Sequence, residues 1–564
     1  MTICYIWIEK FRNFSNTGFN LSSQNKFDYN HELKTIKKEV VNDLPKDFFG
    51  KNIKEVTAFV GKNGSGKSNA LELICKVLKN YKSTINTNYL VIYEENGYLE
   101  CRYNFSDDIA PKANFDISID HFETPLNPLK VVFFSNVFDD RRNNFGKEIS
   151  DVSVNNKYRN TISRKRETSD FLKQLKLINS STFKNLNIEY PNKVVISTRI
   201  FSARMNSSME QSLYRQNYNI YKEFKSFIGK RLTDSKTDKK FLYSVRFGFF
   251  FEYIEDYLRG NRYRYIRNNN YYPDYDKFSD KLGTFLNDQF DLRTEEISEN
   301  ILYFIGELFQ PEIQNNLFTP DEVKSHHLKI EFLFKLKLLI VEVPIEYYLE
   351  GLRTNSYEDF VFEYSSSKSS KIINDFTKLF DKENFFNINW IGISSGHKAY
   401  LNLFATLFDE LKFTKQPNLF LCIDEGDLYL HPKWQIEFFD RLINVLPNIY
   451  SGKIQLLLTS HSPFILSDLP NQNITILHNT SGSLNGTDLN IKTFGGNLYD
   501  LYSEPFFLKE KKTSEFAYKQ IKDLILKLES NNTNYSKEEI LKLVNIIGDE
   551  IISLRLKNIL EKND

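Results

Sequence analysis

Residues 61–68 read Gly-Lys-Asn-Gly-Ser-Gly-Lys-Ser, and this octapeptide constrains the fold more than any other feature of the chain. An apolar run at residues 56–60 precedes it and a helix-like segment at residues 69–78 follows it. A glycine-rich loop of this spacing between a strand and a helix is typical of a phosphate-binding loop. The weaker alternative is an ordinary Gly/Ser turn that happens to precede a lysine.

The residue types in this loop fit a nucleoside triphosphate and Mg²⁺. The glycines allow successive backbone N–H groups to point at phosphate oxygens, and the start of the helix adds its positive dipole end. Lys67 is expected to contact the β and γ phosphates, and the Ser68 hydroxyl to ligate Mg²⁺. The predicted nucleotide-binding residues are Gly61, Lys62, Asn63, Gly64, Ser65, Gly66, Lys67, Ser68 and Asn69.

The length and patterning of the chain predict a split α/β fold. A chain of 564 residues is too long for one compact core. Strand patterns fill residues 1–128, and a buried strand is predicted at residues 131–134. Helical spacing dominates residues 141–384, for example at residues 169–177 and 296–309. Apolar runs typical of central strands of a parallel sheet return at residues 419–423 and 454–458. We predict a nucleotide-binding head formed by residues 1–140 and 385–485. A long, mainly helical insertion at residues 141–384 would divide it, and a C-terminal helical, partner-binding region would occupy residues 486–564.

Cysteine usage and hydropathy exclude several classes of protein. The four cysteines are scattered, which supports neither a disulfide framework nor a cysteine zinc site. The first 14 residues lack the pattern of a signal peptide, and no apolar stretch approaches a membrane span. We expect a cytoplasmic protein.

The net charge of +1 conceals a basic segment. Residues 141–270 contain 27 Lys and Arg against 12 Asp and Glu. Such a segment suits an anionic partner, although a solvated basic face explains the same count. Within it, Arg262, Arg264 and Arg267 alternate with tyrosines, as suits nucleic acid, but helices of this kind also pack on protein partners.

Two apolar runs end in residues that suit phosphate chemistry. Asp424 and Glu425 follow the run at residues 419–423, and His461 lies just beyond the run at residues 454–458. We expect Asp424 to hold Mg²⁺ together with Ser68, Glu425 to polarise the attacking water, and His461 to reach the γ phosphate. Alone, an acidic pair is more often a helix cap and a histidine more often structural.

A small-residue turn, Ser394, Ser395 and Gly396, opens an apolar helix at residues 399–408. Such a turn is another candidate anion site, although by itself it would more often be an ordinary helix cap. Its position just before the Asp-Glu strand favours the functional interpretation.

In this order the four motifs resemble the ATPase heads of the ABC class, more narrowly the RecF-like, SMC-like and OLD-family branch. The resemblance implies a two-lobed head that pairs with a second head around two ATP molecules. Lys67, Glu425 and His461 would then be catalytic, and residues 394–396 would form a signature turn that acts on the ATP of the other subunit.

The same resemblance suggests two further residues. Residues 10–14 are similar to the opening strand of RecF-like heads and supply Arg12. Asn136, after Ser135, stands in for the glutamine of the Mg²⁺-sensing loop. The chain departs from the family pattern at His397, where Glu or Gln is usual after the signature glycine.

Three stretches of the tail, at residues 493–497, 506–508 and 547–550, resemble the PtuA-like ATPases of Septu and retron-associated anti-phage systems. That resemblance implies an ATPase subunit, a homodimer or larger homo-oligomer, that controls a separate HNH-type nuclease. Retron RNA or DNA, or phage DNA, are further candidate partners. Two alternatives are a DNA-repair ATPase of the RecF/SMC type acting directly on DNA, and a non-hydrolysing scaffold. A stand-alone nuclease is the least favoured alternative, because the sequence contains no recognisable nuclease motif.

Overall fold

A computed structural model describes residues 1–41, 44–45, 47–79, 85–141, 143–160, 163–199, 215–258, 275–314, 318–341, 343–348, 358–477, 483–485, 492–503, 514–529 and 536–562. The strands are β1 (Thr2–Phe11), β2 (Phe14–Asn20), β3 (Asn25–Asn30), β4 (Thr35–Val40), β5 (Ile53–Val60), β6 (Tyr89–Glu95), β7 (Tyr98–Asn104), β8 (Lys112–Ala113), β9 (Ser118–His121), β10 (Leu129–Ser135), β11 (Ile149–Asp151), β12 (Lys193–Thr198), β13 (Ile345–Tyr348), β14 (Glu358–Glu363), β15 (Phe386–Ile391), β16 (Asn418–Asp424), β17 (Lys453–Thr459), β18 (Ile474–Leu477) and β19 (Ser483–Asn485).

The α-helices are α1 (Lys67–Leu78), α2 (Val154–Asn160), α3 (Ser163–Ile178), α4 (Arg215–Thr233), α5 (Thr237–Leu258), α6 (Tyr275–Asn287), α7 (Thr294–Gln314), α8 (Pro320–Leu339), α9 (Ser367–Phe380), α10 (Ser395–Leu411), α11 (Pro432–Ile449), α12 (Pro463–Ser467), α13 (Leu498–Ser503), α14 (Glu515–Glu529), α15 (Lys537–Asn545) and α16 (Glu550–Lys562). Two short 3₁₀ helices lie at Ser181–Leu186 and Asn471–Asn473.

The central layer is a seven-stranded sheet with the order β11-β10-β16-β17-β5-β18-β19. Its pairs are parallel except β18 with β19. Strand β16 is buried along its whole length, as its apolar run predicts for a strand covered on both faces. The strands predicted at residues 56–60, 131–134, 419–423 and 454–458 all belong to this sheet, so the predicted parallel α/β fold is confirmed.

A second sheet, ordered β2-β1-β6-β7-β9, lies on the other side of helix α1. Residues of α1 such as Leu71 and Leu73 share one apolar cluster with Ile6 of β1 and with Val131 and Phe420 of the central sheet. The helix that starts at the phosphate loop is therefore held between two sheets. Strands β3, β4 and β8 form a small third sheet.

The described part of residues 141–384 is mainly helical, with helices α2 to α9, but it also contains strands that the sequence analysis did not predict. Strands β12, β13 and β14 join β15 in an antiparallel sheet ordered β13-β14-β12-β15. In addition, β11 pairs with β10 in the central sheet. The predicted helices at residues 169–177 and 296–309 lie within α3 and α7. The domain boundaries themselves stay predictions.

The described part of the tail forms helices α13 to α16, of which α14, α15 and α16 pack around an apolar cluster of their own. Within the described ranges, none of the helices combines the length and apolar character needed to cross a lipid bilayer.

One buried carboxylate makes the stability of this fold depend on pH. Glu55 of β5 accepts hydrogen bonds from the N–H and hydroxyl of Ser23 (2.9 and 3.0 Å) and from the amide of Asn473 (3.1 Å). Burial nevertheless raises the pKa of Glu55 to about 7. Because the folded-state pKa lies above the unfolded value, the folded protein loses stability as pH rises from about 4.5 to about 7.

We expect this loss to be absent in the Glu55→Gln variant. The stability of the wild type relative to the variant should fall by about 2–3 kcal/mol between pH 5 and pH 8, measured as unfolding free energies in denaturant. Glu39→Gln, which changes an exposed carboxylate, is the control. A stability difference between wild type and Glu55→Gln that stays constant over this range would contradict the prediction.

Candidate nucleotide-binding and hydrolysis site

The phosphate loop connects the end of β5 to the start of α1, as predicted. Gly66 caps α1 in the left-handed region (φ 93°), and a Cβ there would lie 2.4 Å from the amide nitrogen of Asn13. That amide donates to the carbonyl oxygen of Ser65 (3.4 Å). Both the backbone conformation and the close approach of Asn13 therefore favour glycine at position 66.

Two side chains of the loop suit a bound phosphate. The Lys67 ammonium lies beneath the loop and donates to the carbonyl oxygens of Gly61 (3.1 Å) and Lys62 (3.3 Å). Burial lowers the pKa of Lys67 to about 8, although the negative charges of Glu425 and Asp424 act to raise it. The buried hydroxyl oxygen of Ser65 has no hydrogen-bond partner among the described residues. Since buried polar atoms are normally paired, this hydroxyl fits a loop that closes around phosphate oxygens.

Asp424 lies at the C-terminal end of β16, where three hydroxyl groups converge on its carboxylate. Ser68 (3.1 Å) and Thr459 (2.6 Å) donate to one oxygen, and Ser135 (3.2 Å) donates to the other. Strand register brings two of them there, because Ser135 pairs with Asp424 across β10 and β16, and Asp424 pairs with Thr459 across β16 and β17. Burial raises the pKa of Asp424, and the three hydroxyl donors work against that rise.

The oxygen atoms of Ser68 and Asp424 fit Mg²⁺, which prefers hydroxyl, carboxylate, water and phosphate oxygens. Among the described residues no cluster of three or more His, Cys, Asp or Glu could hold a metal ion. A magnesium ion here would therefore be held by these two side chains together with phosphate and water oxygens.

Glu425 and His461 face each other beside Asp424. The His461 Nε2 lies 3.3 Å from Glu425 Oε1. Glu425 has a positive φ of 49°, and its N–H donates to the carbonyl (3.2 Å) and the hydroxyl (3.0 Å) of Thr459. The hydrogen bond with His461 is the main influence on the Glu425 carboxyl and keeps its pKa below the usual value. Burial acts in the opposite direction but is the smaller effect. Glu425 is therefore ionised at neutral pH, as a general base must be.

Thr459, to which the sequence analysis gave no role, orients both acidic residues. We expect Thr459→Val, which keeps the shape but removes the hydroxyl, to lower kcat for ATP hydrolysis about tenfold and to raise the Mg²⁺ concentration required. Steady-state kinetics at varied Mg²⁺ measures both effects. Thr475→Val is a matched control, because Thr475 is buried in the same sheet and its hydroxyl has no hydrogen-bond partner among the described residues. Equal activity of the two variants would contradict the role of Thr459.

The turn formed by Ser394, Ser395 and Gly396 is an ordinary helix cap within this chain. The Ser394 hydroxyl accepts the N–H of His397 (3.1 Å) at the start of α10, and Ser394 and Ser395 are exposed. A Cβ on Gly396 would lie 3.4 Å from the carbonyl oxygen of Tyr429, which follows the acidic pair. Its action on the ATP of a second copy stays a prediction.

The histidine that departs from the family pattern is part of the core. The His397 ring is buried against Trp434, with ring centroids 5.4 Å apart, and burial lowers its pKa. Its backbone N–H, not its side chain, supports the turn.

Asn136 and Arg12 contact protein groups beside the site. The Asn136 amide donates to the carbonyl of Gly426 (3.4 Å), so it supports the loop after the acidic pair. Arg12 donates to Asn69 (2.8 Å) and pairs with the fully buried Glu72 (2.8 Å). Arg141 and Lys76 also pair with Glu72 (2.7 and 2.6 Å). Arg262, Arg264 and Arg267, together with the tail stretch 506–508, lie outside the described residues.

A family model described as "AAA domain, putative AbiEii toxin, Type IV TA system" matches residues 56–467, which include the phosphate loop, the acidic pair and His461. The chain is 32% identical over 104 residues to the retron Vc95 probable ATPase of Vibrio cholerae serotype O1 biovar El Tor (17% of this chain and 19% of that protein). It is 27% identical over 152 residues to the retron Ec83 probable ATPase of Escherichia coli (26% and 27%).

A third relative is the Septu protein PtuA of Bacillus mycoides (strain KBAB4), 26% identical over 200 residues (32% of this chain and 27% of that protein). The similarity thus spans between 19% and 27% of the length of these three relatives.

Proposed function

This chain belongs to the family described as "AAA domain, putative AbiEii toxin, Type IV TA system" and carries its ATPase domain. From this membership and from the retron and Septu relatives, we propose that it is the ATP-hydrolysing subunit of an anti-phage defence complex. Two copies would bind two ATP molecules between their heads. The nucleotide state of this dimer would control a separate HNH-type nuclease.

The arrangement around Asp424 carries the hydrolytic part of this proposal. Lys67 and the loop N–H groups would bind the phosphates, and Ser68 and Asp424 would hold Mg²⁺, which would neutralise phosphate charge. Glu425 takes a proton from the water that attacks the γ phosphorus, and the bond from that phosphorus to the bridging oxygen of ADP breaks. His461 Nε2, 3.3 Å from Glu425 Oε1, fixes the position of that carboxylate and lowers its pKa.

The defence part of the proposal is supported by the names of the relatives, which are retron ATPases and a Septu protein. The described part of the tail adds a physical argument. Helices α14 and α16 and the C-cap residue of α15 expose apolar side chains, including Phe516 (77% exposed), Ile551 (80%) and Ile546 (79%). Apolar side chains at such exposure suit a protein partner at the predicted partner-binding region.

The test is affinity purification of the tagged chain, expressed from its own operon, with ATP and Mg²⁺. Mass spectrometry identifies the proteins that co-purify, and the purified complex is assayed for nuclease activity with ATP, with ADP and without nucleotide. The Lys67→Ala variant, whose ATP binding should be strongly weakened, shows whether any nuclease control requires the nucleotide.

We expect a stoichiometric HNH-type protein whose nuclease activity differs between the ATP and ADP states in the wild type but not in Lys67→Ala. Recovery of the chain alone, with DNA-stimulated ATP hydrolysis that weakens steeply with salt, would instead support the alternative of a repair ATPase acting on DNA. ATP binding with very slow turnover that Glu425→Gln leaves unchanged would support a non-hydrolysing scaffold.

A further inference from the structure

A buried carboxylate lies just beyond the acidic pair and has no part in the chemistry described above. Asp427 is 4% exposed, and its Oδ2 accepts a hydrogen bond of 2.6 Å from the hydroxyl of Ser460. The Ser460 oxygen in turn accepts the N–H of Ser462 at 2.8 Å. A hydroxyl has one hydrogen to donate, so donation to Asp427 leaves its lone pairs facing the Ser462 N–H. Asp427 thus fixes the orientation of Ser460.

A second set of contacts joins the same two loops through helix α11. The Gln435 amide nitrogen donates to the carbonyl oxygens of Asp427 (3.4 Å) and Leu430 (3.3 Å). Its amide oxygen accepts the hydroxyl of Ser462 (3.4 Å). The loop after the acidic pair and the loop after β17 are therefore connected twice, directly by the Ser460–Asp427 hydrogen bond and indirectly through Gln435.

His461 lies between the two serines of this network. Its side chain is 37% exposed, so packing alone does not fix its position. The residues on either side of it are nevertheless fixed, since Ser460 is 1% and Ser462 is 7% exposed and both are hydrogen-bonded. The backbone at position 461 is therefore held by its neighbours, and the ring extends from it to place Nε2 3.3 Å from Glu425 Oε1.

We propose that Asp427 is a positioning residue that, through Ser460, holds the 460–462 segment so that His461 faces Glu425. This inference rests on the roles proposed above for Glu425 and His461. Among the described residues, Asp427 hydrogen-bonds neither to the phosphate loop nor to the hydroxyl groups around Asp424, so we expect an effect on turnover and not on ATP binding. What matters at position 427 is an oxygen that accepts the Ser460 hydroxyl, which asparagine also provides.

The experiment compares Asp427→Ala, Asp427→Asn, Ser460→Ala and His461→Ala, together with the double variant Asp427→Ala/His461→Ala, in the full chain. ATP affinity and kcat are measured separately. We expect Asp427→Ala and Ser460→Ala to lower kcat about tenfold or more with unchanged ATP affinity, because small displacements of aligned groups are costly. Asp427→Asn should retain most of the wild-type kcat. Asp427→Ala should add little to the effect of His461→Ala.

Three results would overturn the inference. They are a wild-type kcat in Asp427→Ala, a loss of kcat in Asp427→Asn as large as in Asp427→Ala, and a double variant whose kcat lies below that of His461→Ala by the full factor that Asp427→Ala causes alone. If Asp427→Ala does not fold, Ser460→Ala decides by the same kinetic measurements and by its double variant with His461→Ala. A His461→Ala variant with wild-type kcat would instead remove the proposed role of His461. Failure of the proposed function can therefore be told apart from failure of the Asp427 inference, because the former is seen in the single His461→Ala variant alone.

Discussion

Replacing Glu425 by glutamine should leave ATP bound but hydrolysed at least about 100-fold more slowly, because removal of a general base has effects of this size. Glutamine keeps the shape of the side chain but cannot take a proton from water. Glu425 directly follows Asp424, its carboxylate lies 3.3 Å from His461 Nε2, and its lowered pKa leaves it ionised at neutral pH, as this role requires. Single-turnover phosphate release measures the chemical step directly, and size-exclusion chromatography with ATP and Mg²⁺ should detect the accumulated ATP-bound dimer.

Glu346→Gln is the control for this prediction, because Glu346 lies on strand β13 and its side chain is 68% exposed. It should hydrolyse ATP at the wild-type rate. Normal phosphate release by Glu425→Gln would remove Glu425 from the catalytic role. Slow release without a change in assembly would keep that role and count against the ATP-sandwiched dimer.

The part of this site that could be predicted from sequence depends on strand ends. Asp424, Glu425 and His461 each follow a short apolar run, and parallel strands bring their carboxyl ends to one edge of a sheet. The phosphate loop adds Ser68 at the same edge. Knowing that the runs are parallel strands is therefore enough to bring these four residues together.

The hydroxyl residues around Asp424 could not be predicted in the same way. Ser135 and Thr459 are ordinary small residues at strand ends, and their roles depend on the register that pairs both with Asp424. Register is set by packing across the whole sheet, which no local pattern encodes. Likewise, Arg12 contacts Glu72, 60 positions along the chain, through a salt bridge that spacing does not reveal.

The unpredicted strands have a different cause. Residues 194–198 read Val-Val-Ile-Ser-Thr, a β-branched run that indicates a strand, but it lies among long segments of helical spacing. Strand β12 forms because β14 and β15, over 150 residues later, pair with it on either side. Long-range pairing of this kind decides the outcome for short apolar runs.

Replacing Lys67 by alanine should weaken ATP binding about 100-fold or more, since charge-assisted hydrogen bonds to phosphate are among the strongest in proteins. The wild-type pKa of about 8 adds a second expectation. Bound phosphates need the ammonium form, so above pH 8 ATP binding must take up a proton. The wild-type Kd should therefore rise with pH above about 8, by up to about tenfold per pH unit, and the Kd of Lys67→Ala should lack this rise.

Titration of a fluorescent ATP analogue between pH 7 and pH 9.5 separates these effects from a general loss of structure. Lys371→Ala removes an exposed lysine from helix α9 and should keep both the wild-type affinity and its pH dependence. Wild-type affinity in Lys67→Ala would mean that the loop binds phosphate through its N–H groups alone. An unchanged pH dependence in that variant would assign the titration to another group, and Lys67 would then serve only to brace the loop through the carbonyl oxygens of Gly61 and Lys62.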